Sequence, residues 1–403
     1  MKLRIKSFTK KNFLEFYLPI FIYASIIGII FYLYLTLPLS GEDLYQRSQS
    51  ISQRSAGGIM GVIDYVYHYI ARLGEFWQRL AALKIDYATG FLPALLLRGF
   101  IATIVVAIPA LGTAAILRRR PKITLHDASI FGLIFVALFG TMFRDPLVFG
   151  FSHVHNYAIA MFFALIFLLL MQKQKYSKPW LVFLFFASIA FALSTELLPF
   201  VYLISLVAVL IYKKIKKQKI HPTAKIIIAT IGVLIGMAIY YSGSNISHRI
   251  DGGYGEVYGY LSPFAIFTSP LTAIPSFAWH IIYNMRFLAF PLILAIITAI
   301  KIYFVRPTRK SDLPDKSTNL MLVGTALLYV LGNTPIMVHD DLYARMMMAP
   351  FLALVLYFLN ISKHITKKHS LAICISLALY IIVLALYLAN ANALTYGGGI
   401  KYW

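Results

Sequence analysis

Glu42 and Asp43 are adjacent acids in the segment Leu39-Ser-Gly-Glu-Asp-Leu-Tyr45, immediately past the first long apolar run of the chain. Two carboxylates at the mouth of a membrane helix are costly to place without a reason. A carboxylate there can act as a general base towards a hydroxyl. Arginine, planar and permanently charged, matches phosphate oxygens with paired hydrogen bonds. A site that sets carboxylates against arginines therefore suits a reaction in which a hydroxyl loses its proton while a phosphate leaves. The plainer reading of Glu42 and Asp43 is a solvated acidic turn.

The elements that would position these groups are membrane helices. The chain has 403 residues, 60% hydrophobic and 13% charged, with a mean hydropathy of +0.76. Soluble domains keep roughly a quarter of their residues charged. The composition specifies an all-α, polytopic transmembrane helix bundle forming one integral membrane domain over 1–403. About eleven spans are expected, near 16–37, 92–117, 126–142, 156–171, 179–194, 197–212, 226–241, 287–305, 318–333, 346–361 and 370–388. The fifth and sixth read as a tight hairpin around Ser194 to Pro199, and a re-entrant member would lower the count to about ten. The first run is long enough to span and lacks a small-residue cleavage site, so it is expected to stay as a span.

The net charge of +22 is a matter of topology, not of nucleic-acid binding. Lys and Arg gather after every second apolar run, in 2–11, 118–122, 173–178, 213–225, 306–316 and 363–368, whereas most acids fall in the intervening loops. Cytoplasmic loops collect basic residues, so the amino terminus is expected inside and the carboxyl terminus outside. The Lys- and Ile-rich composition suggests a bacterial plasma membrane. The single cysteine, Cys374, lies in an apolar run and allows neither a disulfide framework nor a cysteine-rich metal site.

Three outer loops carry the remaining polar candidates. In the first, 38–91, the residues Ile59, Ile63, Val66, Ile70, Leu73, Trp77 and Leu80 recur at helical steps opposite Asp64, His68, Arg72, Glu75 and Arg79. This is an amphipathic helix, lying on the outer leaflet or over the bundle. The second, 242–286, holds His248, Arg249, Asp251, Glu256 and Arg286 within a Gly- and Ser-rich stretch; the third holds Asp340, Asp341 and Arg345. Asp340 and Asp341 suit either an acceptor- or metal-binding pair or acids opening a helix. Arg345 suits a phosphate ligand or an interfacial snorkelling residue. Glu196 reads more simply as a buried hydrogen-bond partner. His153 and His155 share a face only on a strand, and their loop shows no further metal-ligand pattern.

A first span ending in an acidic pair, a long first outer loop and an arginine opening a late span together resemble the GT-C class of multi-pass glycosyltransferases. The closest likeness is to the bacterial glucosyltransferase-II-like subgroup. The motifs that carry it are Gly41-Glu42-Asp43, Arg72-Leu-Gly-Glu-Phe76 and Tyr343-Ala-Arg345. Many such relatives have Asp-Asp where this chain has Glu42-Asp43, and an Asn-Gly-Arg-type motif where it has Leu73-Gly74-Glu75.

The resemblance implies a polyprenyl-phosphate sugar as donor and a glycan or glycopolymer as acceptor. It implies Asp43, or its neighbour Glu42, as base and Arg345, with Arg249 or Arg286, on the departing phosphate. Glu196, Asp340, Asp341 and His248 would support the acceptor. No metal ligand is assigned, and a divalent cation is left open. Two rivals stand beside this expectation: a lipid-linked polysaccharide polymerase or ligase, and a transporter or flippase. The latter calls for charges in the middle of spans.

Overall fold

A computed structural model describes residues 10–36, 57, 60, 91–142, 151–173, 176–194, 197–215, 217, 223–242, 275, 322, 324–325, 348–361 and 367–395. The architecture of this part is all-helical. In chain order the helices are α1 (Lys10–Thr36), α2 (Phe91–Leu117), α3 (Leu125–Met142), α4 (Phe151–Gln172), α5 (Lys178–Ser194), α6 (Leu197–Ile215), α7 (Ala224–Ser242), α8 (Met348–Ile361) and α9 (Lys367–Thr395). They coincide with nine of the apolar segments expected to span. The segment 287–305 and nearly all of 318–333 lie outside the described residues, as does all but Met60 of the amphipathic segment in the first loop.

Four helices are long and apolar enough to cross a membrane, over Leu14–Leu35, Gly99–Leu117, Ala224–Tyr241 and His369–Leu386. The pair α5 and α6 raises this to five if taken as one bent span. Two of the eleven expected crossings fall wholly or almost wholly outside the described residues, and among the others length separates the helices. Eighteen residues rise about 27 Å along a helix, close to the hydrocarbon thickness, and the apolar windows Leu125–Val136 and Ala158–Gln172 fall short of that. The chain is a helical membrane protein by this composition.

The centre of the bundle is apolar. Ile22, Ile26 and Ile30 of α1, Ile130 and Ile134 of α3, and Leu377 of α9 are fully buried. Phe167 stacks on Phe191 at 4.5 Å between ring centroids and meets Tyr202 edge-on at 5.1 Å, joining α4, α5 and α6. Hydroxyls inside the helices turn back to the preceding turn: Thr113 Oγ1 donates to the Pro109 carbonyl at 2.7 Å, and Ser188 Oγ to that of Leu184 at 2.6 Å. Each hydroxyl is thereby satisfied without water, as hydrocarbon demands. The bond to Pro109 lies one turn beyond a residue that has no amide proton to give.

The expected tight hairpin of α5 and α6 is replaced by a different pairing. These two helices turn by 119° across their short break. The long partner of α5 is α7, and its contact is made by small residues. Gly232 and Gly236 of α7 face Ser188 and Ala192 of α5, one turn apart on each helix. A Cβ on Gly232 would stand 2.8 Å from the Phe185 carbonyl oxygen, and one on Gly236 would stand 2.9 Å from that of Ile189. Lipid is as apolar as a side chain, so helices in a bilayer gain little from hiding apolar surface. Close backbone approach through small residues supplies the attraction.

Candidate functional site

The residues singled out for chemistry lie outside the described part of the chain: Glu42, Asp43, Glu196, His248, Arg249, Arg286, Asp340, Asp341 and Arg345. The helices that flank them are described. Glu42 and Asp43 follow α1, Glu196 stands between α5 and α6, His248 and Arg249 follow α7, and Arg345 precedes α8. For α1 the direction within the bundle is clear. Tyr23 lies beside the α2–α3 turn, with its hydroxyl donating to the Lys122 carbonyl at 3.4 Å. One face of the helix, Ile22, Ile26, Ile30 and Leu33, is buried on both sides of Tyr23, and Phe21, Ile27 and Tyr32 on the opposite face are exposed. The segment of α1 that leads to the acidic pair therefore runs away from that turn with one face against the core.

His153 and His155 fall in the first turns of α4 and not in a loop. Among the described residues no three His, Cys, Asp or Glu side chains gather where they would hold a metal ion.

The best-formed polar cluster among the described residues is one that reasoning from the sequence missed. It closes the turn between α2 and α3. Helix α2 ends at Arg118, whose φ of 53° puts it in the left-handed region used to terminate helices. Arg119 then pairs with Asp127 in the first turn of α3: Nη1 donates to Oδ2 and Nη2 to Oδ1, both at 2.7 Å. The Lys122 amide donates to Oδ2 at 2.6 Å, and the Thr124 hydroxyl donates to Oδ1 at 2.9 Å. Thr124 Oγ1 accepts in turn from the Asp127 amide at 3.2 Å.

Thr124 thus caps α3 by accepting from the Asp127 amide, and the Asp127 carboxylate reaches back past the cap to the Lys122 amide. The signal was present as Thr-Leu-His-Asp ahead of an apolar run. Asp127 is fully buried and each of its oxygens accepts two bonds. No lone pair is left for a substrate proton, so this carboxylate is a lock and not a base. The hydrogen bonds that Arg119 donates to Asp127 raise its guanidinium pKa above the ordinary value, against partial burial.

A second cation clamp ties α4, α5 and α7. The Lys225 ammonium at the start of α7 donates to the carbonyls of Met171 and Lys173 at 2.7 and 3.0 Å. Those oxygens end α4, where helix carbonyls lack partners and a positive charge is favoured. The Lys173 ammonium sits 3.5 Å from the ring centre of Trp180, which opens α5.

Between α4, α5, α6 and α8 lies a cavity of about 60 Å³, bordered by Phe167, Leu168, Phe191, Leu198, Tyr202 and Leu352 among others. Sites for small ligands usually run to several hundred Å³. This one is apolar and too small for a sugar; it is a packing gap between helices. Comparison of the chain with family models, with curated proteins and with solved structures finds no match.

Proposed function

We propose that the protein is a membrane glycosyltransferase that moves a sugar from a polyprenyl-phosphate donor to a glycan or glycopolymer acceptor at the outer face of the membrane. In this reading the chain crosses about eleven times with its amino terminus inside. Asp43, or Glu42 beside it, takes the proton of the acceptor hydroxyl as that oxygen attacks the anomeric carbon. The bond from the sugar to the lipid phosphate breaks, and Arg345, with Arg249 or Arg286, receives the phosphate as leaving group. Glu196, His248, Asp340 and Asp341 support the acceptor. Holding both reactants at one leaflet supplies the largest advantage, since orientation alone is worth about 7–11 kcal/mol.

The observation that carries the reading is where charge stands in the membrane-length helices. Across Leu14–Leu35, Gly99–Leu117, Ala224–Tyr241 and His369–Leu386, the acidic and basic residues are Glu15, Lys225 and His369. Each occupies the first or second position of its membrane-length stretch, and Arg98 of α2 stands just before that of Gly99–Leu117. A path for a polar cargo would need such groups near the middle. Chemistry at a membrane face needs them only at the ends, which is where these four stretches keep them. The test is to incubate the purified protein with a panel of lipid-linked sugars and a glycan acceptor. Release of free polyprenyl phosphate with any donor supports the assignment. Transport of a polar solute across vesicles with no release from any donor contradicts it.

A further inference from the structure

The α2–α3 turn has a second property, which rests on the membrane reading alone and is independent of the transferase reading. Residues 118–122 carry four cations: Arg118, Arg119, Arg120 and Lys122. Asp127 neutralises one of them, Arg119. The backbone of the turn is held from three sides. Arg119 Nη1 donates to the Arg120 carbonyl at 3.0 Å, the Lys122 amide is bound to Asp127, and the Tyr23 hydroxyl meets the Lys122 carbonyl. Pro121 fixes its own φ between them. Arg120 and Lys122 are exposed on this rigid frame. Next to them Ile123 is 64% exposed, a large apolar side chain presented at the end of two apolar helices.

We infer that the turn is a docking site for the headgroup of an anionic phospholipid, with Arg120 and Lys122 on the phosphate and Ile123 set among the acyl chains. Exposed cations alone would serve any anion. The isoleucine beside them selects a lipid, because an apolar side chain gains from a neighbouring acyl chain and gains nothing from a free ion. Because the turn is already ordered by Asp127, little conformational freedom is left to lose when the lipid arrives.

The test uses the full-length protein in nanodiscs of zwitterionic lipid containing a photo-crosslinking phosphatidylglycerol, with crosslinked peptides mapped by mass spectrometry. The wild type should crosslink in the peptide spanning 120–123. Arg120→Gln and Lys122→Gln should each lower that yield about fivefold, the effect of about one charge near a membrane surface. Ile123→Ser should lower it as well. Unchanged yield in the Arg120 and Lys122 variants overturns the inference. So does an equal fall at this peptide when Lys214 and Lys217, exposed in the last turn of α6 and just past it, are changed to Gln, since that would mark a diffuse field. Competition by millimolar inorganic phosphate also overturns it, by showing a site for the free ion. Should a variant fail to fold, salt is applied to the wild type: the yield must collapse between low and 0.5 M ionic strength, about a threefold shorter screening length, and a constant yield contradicts the site.

Discussion

Arg119 and Asp127 meet through two parallel hydrogen bonds of 2.7 Å, with the carboxylate fully buried and the guanidinium side chain 40% exposed. The two residues are therefore unequal. Removing Asp127 takes away both guanidinium bonds, the partner of the Lys122 amide and the acceptor of the Thr124 hydroxyl. Removing Arg119 leaves Lys122 and Thr124 still bonded to the acid. Asp127→Ala is expected to destabilise the protein by about 2–3 kcal/mol and Arg119→Ala by about 1 kcal/mol. Thermal unfolding in detergent checks the order; an equal or greater loss for Arg119→Ala would contradict the lock.

The α5–α7 contact makes an opposite pair of glycine predictions. Gly236→Leu drives a side chain into the Ile189 backbone and should destabilise by about 2–3 kcal/mol. Gly28, in α1, has nothing within 4 Å of where a Cβ would stand. Gly28→Ala should be neutral or stabilise by up to about 1 kcal/mol through helix propensity. The unfolding midpoints of the two variants, read side by side, decide whether close packing or propensity governs each position.

Much of the helical plan was legible in the sequence, because an apolar run of about twenty residues admits few alternatives to a helix in lipid. The partners of each helix were not. The short link between α5 and α6 read as a hairpin, yet the surfaces that fit are those of α5 and α7. That fit depends on Gly232, Gly236, Ser188 and Ala192 coming level with one another, which no single run displays. The Thr124 cap with Asp127 behind it was written in the sequence, but the basic cluster 118–122 beside it speaks first of topology. The acids and arginines proposed for catalysis stand in the connections between helices, where apolar periodicity says nothing about three-dimensional neighbours.

Cys374 provides a reporter on folding. It is the only cysteine of the chain, is fully buried, and donates to the Leu125 carbonyl at 3.2 Å. A membrane-permeant maleimide should label it only on the timescale on which α9 separates from α3. Labelling should accelerate in Asp127→Ala, whose lesion lies two residues from Leu125. Rapid labelling of the folded wild type would show that α9 does not pack as described.

Lys225→Met should loosen the α4, α5 and α7 ends by leaving the Met171 and Lys173 carbonyls without their charged donor. A loss of about 1–2 kcal/mol is expected. Lys225→Arg, which keeps a donor and a charge, should recover most of it. Hydrogen exchange at the end of α4 distinguishes the two: faster exchange in the Met variant and near wild-type exchange in the Arg variant are the expected results.

The most direct measurement is the rate of polyprenyl-phosphate release from a lipid-linked sugar by membranes carrying wild type, Asp43→Asn or Glu42→Gln protein at equal abundance. A general base contributes about 10²–10⁴-fold, so one of the two substitutions should reduce release by at least about a hundredfold while Cys374 stays protected. If both variants release the lipid phosphate at the wild-type rate, neither carboxylate is the base, and the assignment of this chain as a sugar transferase acting through that acidic pair is wrong.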